Sequence, residues 1–227
     1  MTVAGDLAEV RDRIAEAARS SGRDPASVTL VAVSKVQPAQ KVRAAYEAGH
    51  RHFGENYVQE MRAKQEELPD LAEARWHFIG HLQRNKARQV VGHAAMVETV
   101  DSVRLAAELE KRAAAAETTV EVLLQVAVVD EETKSGCEPD ELPALIETAE
   151  AAPHLEVRGL MTIPPWETDP EDARRYFVAL RELRDRLGGE ALLPELSMGM
   201  SGDYDVAIEE GATIVRVGTA IFGARHR

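Results

Sequence analysis

With 227 residues, 44% of them hydrophobic and 29% charged, the chain has the composition of an ordinary globular protein, and its length suits one barrel-sized domain over 1–227. A formal net charge of -12 argues against a nucleic-acid binder, which needs surplus lysine and arginine for the phosphates. No apolar run reaches membrane-spanning length, and Cys137 is the only cysteine, so no intrachain disulfide is possible and a cytoplasmic protein is expected.

Residues 1–22 lack the basic and then apolar segments of a signal peptide, and Leu7, Val10, Ile14 and Ala17 recur at helical spacing. An amphipathic helix that packs on the body of the protein is predicted there. The strongest strand-like run follows at 28–35: five of the six residues from Val28 to Val33 are apolar, as in a parallel strand buried on both faces. Lys35 ends this run and has two readings. It is either a cation snorkelling into water from the end of a core strand, or a desolvated amine able to attack a carbonyl and form a Schiff base.

Further β-like segments fall at 51–54, 76–80, 96–100, 120–128, 155–161, 195–198 and 214–218. Helical patterns separate most of them: 38–48 closing at Gly49, 103–116 capped by Ser102, and a stretch opened by Pro139 that ends near Ala152. Asp169 or Pro170 starts a long helix stopped by Gly188 and Gly189, and Asp203 is placed to cap a short helix closing at Gly211. This alternation predicts an α/β protein, a single-domain (β/α)8 TIM barrel with an extra N-terminal helix. An open doubly wound sheet would carry a Gly-x-Gly-x-x-Gly turn after the first strand, where this chain has Ser34-Lys35-Val36-Gln37-Pro38.

Barrels of this kind place their active sites at the C-terminal ends of the strands and often hold phosphate after strands seven and eight. Ser197-Met198-Gly199-Met200-Ser201-Gly202-Asp203 and Arg216-Val217-Gly218-Thr219 occupy those two positions, and both offer small residues and hydroxyls to an anion. Taken singly, they also read as a capped turn and a tight corner. A lysine plus a phosphate cradle suggests pyridoxal phosphate. Strand alternation puts Arg216 on the face of Ile214 and Gly218; beside a pyridine nitrogen its guanidinium would keep that nitrogen unprotonated and restrain carbanion chemistry. The other reading of Arg216 is a buried pair with a carboxylate such as Glu55 or Glu98. Asn56 follows strand two, as a ring contact or as the cap of a helix starting near Tyr57. His77 and His81 would face together as metal ligands only on a helix; the segment reads as a strand, so no metal is expected and His81 is placed as site lining.

Several blocks resemble a known family: Val31-Ala32-Val33-Ser34-Lys35, His52-Phe53-Gly54-Glu55-Asn56, His77-Phe78-Ile79-Gly80-His81, Arg158-Gly159-Leu160-Met161, the Ser197 to Asp203 loop, and Val215-Arg216-Val217-Gly218-Thr219. Together they look like the pyridoxal phosphate homeostasis proteins. The resemblance implies a barrel similar to the N-terminal domain of alanine racemase, with pyridoxal 5'-phosphate held as an internal aldimine on Lys35. It also implies phosphate contacts from Ser201, Gly218 and Thr219, a pyridine-nitrogen contact from Arg216, and Asn56 near the ring. The loop from Val129 to Gly136 departs from the family by its aspartate-containing start, while Lys134 and Gly136 match its Lys-x-Gly pattern.

A racemase on this barrel would need a second base, supplied in alanine racemases by a further domain and a partner subunit for which 227 residues leave no length. The expectation is therefore a carrier that stores the cofactor and passes it to apo-enzymes, and a monomer. A pyridoxal phosphate enzyme with weak racemase or lyase activity, and a Schiff-base aldolase without cofactor, are the alternatives.

Overall fold

The computed structural model describes residues 2–128 and 135–224. Eight strands, β1 Thr29–Val33, β2 His52–Glu55, β3 Arg75–Phe78, β4 Met96–Val100, β5 Val120–Gln125, β6 Leu155–Met161, β7 Glu195–Ser197 and β8 Ile214–Val217, pair in chain order, and β8 closes on β1. All pairings are parallel. The outer layer holds α1 Val3–Ser20, α2 Ala39–Glu47, α3 Val58–Glu67, α4 Val103–Ala115, α5 Leu142–Glu150, α6 Pro170–Arg186, α7 Gly189–Leu192, α8 Tyr204–Glu209 and α9 Thr219–Phe222. The link from β3 to β4 is a 3-10 helix, Arg84–Gln89.

Local chemistry accounts for these boundaries. Thr2 accepts the Gly5 amide at the start of α1, Ser102 accepts that of Leu105 in α4, and Asp169 accepts that of Glu171 in α6. The apolar stripe Leu7, Val10, Ile14 and Ala17 is buried, and α1 lies against α8 and α9. Two expectations are corrected. The stretch opened by Pro139 first makes a turn, with the Glu141 amide donating to the Glu138 carbonyl, and α5 begins only at Leu142. Asp203 precedes α8 but does not cap it; its Oδ1 accepts the Met200 amide at 2.6 Å, inside the loop after β7. Of the Val129 to Gly136 loop, residues 129–134, with Asp130 and Lys134, lie outside the described residues.

The outward faces of the strands and the helices form the main hydrophobic core. Inside the barrel, Val31, Met96, Leu123, Met161 and Ile214 make a separate apolar cluster. Beside it sit polar side chains: His77, Glu98, Ser197 and Arg216 are all buried. Such a polar interior is stable only if its members satisfy one another.

Candidate functional site

At the C-terminal mouth, a cavity of about 600 Å³ is lined by all of Lys35, Asn56, Ser201, Arg216, Gly218 and Thr219. They arrive from the ends of β1, β2, β7 and β8, so the convergence comes from barrel closure. Lys35 is half-buried in the turn just past β1, two residues beyond the strand end and on the side of Val33, which also lines the cavity. Arg216 pairs in register with Val31 of the interior cluster, which puts its side chain inside the barrel.

The loops after β7 and β8 are tied together. The Gly218 amide donates to Ser201 Oγ at 3.2 Å, and the Arg216 amide donates to the Gly199 carbonyl at 3.0 Å. Gly199 has φ of +91°, and a Cβ there would come 2.6 Å from that of Ala207, so both the backbone conformation and the close approach require glycine.

Arg216 is anchored by two bonds, from Nη1 to Ser197 Oγ at 2.5 Å and from Nη2 to the Thr162 carbonyl at 2.8 Å. Ser197 Oγ donates to Glu98 Oε2 at 2.5 Å, and Glu98 Oε1 lies 2.7 Å from His77 Nδ1. The expected pairing of Arg216 with a carboxylate is thus realised by Glu98, through a serine bridge, while Arg216 still faces the cavity. Burial alone would push the Glu98 carboxyl up, but His77, Arg216 and Ser197 together hold it below the usual carboxylate range. Burial pulls the Arg216 guanidinium down, against the attraction of Glu98 and Asp203.

The polar chain continues to the opposite face. His77 Nε2 lies 3.0 Å from His52 Nδ1, and His50 Nε2 lies 2.6 Å from the His52 carbonyl. Burial, with smaller effects from neighbouring charges, pushes both His50 and His52 down to about 4. In the unfolded chain each would protonate near the ordinary histidine value of about 6.5, so between these values the unfolded state binds more protons. Stability should therefore be complete above about pH 6.5 and fall as the pH drops toward about 4. Melting curves across that window measure the effect, and His50→Gln should flatten the slope.

Asn56 Oδ1 is buried and has no hydrogen-bond partner among the described residues, and the helix cap position is taken by Tyr57 without a side-chain bond. The capping alternative for Asn56 is therefore not used; the residue lines the cavity, while its side-chain oxygen is shielded from it. His81 is a correction: its side chain is 60% exposed near Asp101, and it lines a smaller neighbouring hollow with Tyr57 and Lys86 instead of the main cavity. It lies beyond β3 in an open loop, so strand alternation does not aim it inward. No cluster able to hold a metal occurs among the described residues. Cys137 is buried and its thiol is pushed up to about 12 by burial and by Glu141, which makes it inert as a nucleophile.

Sequence reasoning missed Gln37, Ile163 and Trp166, which also line the cavity. Trp166 is 81% exposed at its rim. An isolated tryptophan after Pro164-Pro165, in the loop following a strand, was the available signal.

The closed eight-stranded barrel with Lys35 in the cavity at its mouth defines a protein built like the N-terminal domain of alanine racemase, and that domain family matches residues 5–226. A pyridoxal phosphate homeostasis protein from Pseudomonas aeruginosa is 49% identical over 224 residues, covering 99% of this chain and 96% of the relative; one from Aquifex aeolicus is 47% identical, covering 96% of each. The chain belongs to the pyridoxal phosphate homeostasis protein family. The structure of PipY from Synechococcus elongatus with PLP bound superposes with a TM-score of 0.87 at 40% identity, over 98% of this chain and 100% of that one. Alanine racemase from Corynebacterium glutamicum, at 17% identity and a TM-score of 0.69 over 96% of this chain and 61% of its own, shares the fold.

Proposed function

We propose that this chain binds pyridoxal 5'-phosphate in the mouth cavity, holds it as a reversible Schiff base on Lys35, and serves to store and pass on the cofactor. The carrying observation is the convergence of Lys35, Asn56, Ser201, Arg216, Gly218 and Thr219 on one cavity. When bound, the cofactor supplies an aldehyde that condenses with a primary amine, and a phosphate. Lys35 is the amine. Ser201, with the Gly218 and Thr219 corner, receives the phosphate, and Asn56, which lines the cavity, lies beside the ring. Arg216, fixed by Ser197 and Thr162, faces the pyridine nitrogen with a group that has no proton-accepting site.

Storage is favoured over turnover by what surrounds Lys35. Among the described residues lining the cavity, Lys35 and Arg216 are the only ones with ionisable side chains. A guanidinium does not act as a general base at ordinary pH, so the second base that racemisation needs is lacking among them. Both cations also give an otherwise acidic protein a local site for an anion. Release to apo-enzymes by a monomer in the cytoplasm completes this reading.

The test is the absorption spectrum of the purified protein mixed with pyridoxal phosphate, before and after borohydride, beside Lys35→Ala. The wild type should turn yellow and yield a reduced cofactor adduct on the Lys35 peptide, and the variant should give neither. A wild type that takes up no cofactor would overturn the proposal.

A further inference from the structure

Directly after Lys35 the backbone does something costly. Val36 has φ of +62°, the left-handed region that a β-branched residue rarely enters. Its side chain is 53% exposed, so core packing does not force the conformation. What holds it lies on α3. The Val36 amide donates to Glu60 Oε1 at 2.5 Å. Lys64, one turn further along, is buried at 5% exposure, and its Nζ donates to Glu60 Oε1 at 2.7 Å, to Glu55 Oε1 at 2.6 Å and to the Ser34 carbonyl at 2.6 Å. Ser34 Oγ donates to Glu55 Oε1 at 2.7 Å, closing the cluster.

The cluster therefore grips the chain on both sides of Lys35: at the carbonyl and hydroxyl of Ser34 before it, and at the amide of Val36 after it. Each grip is a charge-assisted hydrogen bond, the strong kind; those at Ser34 are buried, and the one at the Val36 amide lies at the surface. None of Glu55, Glu60 and Lys64 lines the cavity. A buried ion cluster is a poor stabiliser compared with apolar packing of the same volume, so its place beneath this turn calls for another role.

We propose that Glu60 and Lys64, with Glu55, are positioning residues that clamp the turn 34–36 in its left-handed conformation and so aim Lys35 into the cavity before the cofactor arrives. The inference rests on the reading of Lys35 as the amine that captures the cofactor. Orienting the amine in advance removes much of the ordering that imine formation would otherwise require. The strain at Val36 is carried by the apo protein for that purpose.

Val36→Gly separates positioning from simple structural support, because glycine adopts positive φ without strain and also frees the turn to leave it. Its apo form should melt at the same temperature as the wild type or higher. Its capture of pyridoxal phosphate, followed by stopped-flow absorbance, should be slower, and its affinity about tenfold weaker. Glu60→Gln, which keeps the side-chain shape but removes the charge, should lower the affinity in the same direction, and Glu60→Asp should not restore it, being too short to reach the Val36 amide. Unchanged capture and affinity in Val36→Gly and Glu60→Gln, with lower melting in the latter, would make the cluster a structural support and overturn the inference. Failure of the wild type itself to bind the cofactor would overturn the cofactor reading and this inference with it.

Discussion

Glu98→Gln is expected to cost about 3–5 kcal/mol of stability, the penalty for breaking a buried charge pair from one side. Glu98 is fully buried and accepts from Ser197 while bonding His77. The neutral amide keeps the shape but removes the charge that Ser197 and His77 both face. Arg216, itself buried, loses the larger of its two attracting carboxylates and keeps only Asp203. For a chain of this size about 3 kcal/mol corresponds to a melting temperature roughly 6–12 °C lower, which calorimetry resolves. The double variant Glu98→Gln with Arg216→Met should recover much of the loss, because the uncompensated charge is then gone. Full recovery in stability with no recovery in cofactor binding would assign the pair its two roles: Glu98 supports the arginine, and the arginine meets the ligand. A Glu98→Gln protein that melts like the wild type would show that Glu98 is not the counter-charge of Arg216.

Gly80→Ala should be comparably damaging, by a steric route. A Cβ at this position would lie 2.1 Å from the Asn56 carbonyl oxygen and 2.7 Å from its carbonyl carbon, so backbone, not a flexible side chain, has to give way. Overpacking of this kind costs about 1–3 kcal/mol or more. The displaced segment is the one that carries Asn56 to the cavity, so affinity for pyridoxal phosphate should fall together with the melting temperature. Thr99, whose hydroxyl donates to the Gly80 carbonyl at 2.6 Å, resists relaxation from the other side. Titration and melting of the same preparation measure both effects. Unaltered affinity would mean that Asn56 does not contribute to binding.

These two positions mark different limits of sequence reading. Gly80 stands in the sequence only as part of the strand-like segment His77 to His81; its closeness to Asn56 depends on how β2 and β3 are aligned. Glu98 was named as one of two carboxylates for Arg216, and nothing local distinguished it from Glu55. The structure does so through side-chain direction. Glu55 bonds Lys64 and Ser34, while Glu98 enters the barrel and reaches Ser197, 99 positions away. Lys64, thirty positions from Ser34, carries no signal along the chain that it would reach that turn.

Along the chain alone, the eight strands, the N-terminal helix and six residues lining the cavity were legible. Each of these is written locally: short strand-like segments bounded by turn residues, caps at helix starts, small residues in turns, and a lysine where a core strand ends. Strand alternation alone put Arg216 beside Ile214 and Gly218, and the closed barrel keeps them on one face. Which polar groups satisfy one another emerges only in three dimensions: Arg216 with Glu98 through Ser197, His52 with His77, and the cluster beneath Lys35. Buried polar groups take partners by proximity in space, set by barrel closure and the register of the strands, and proximity across a closed sheet leaves no pattern along the chain.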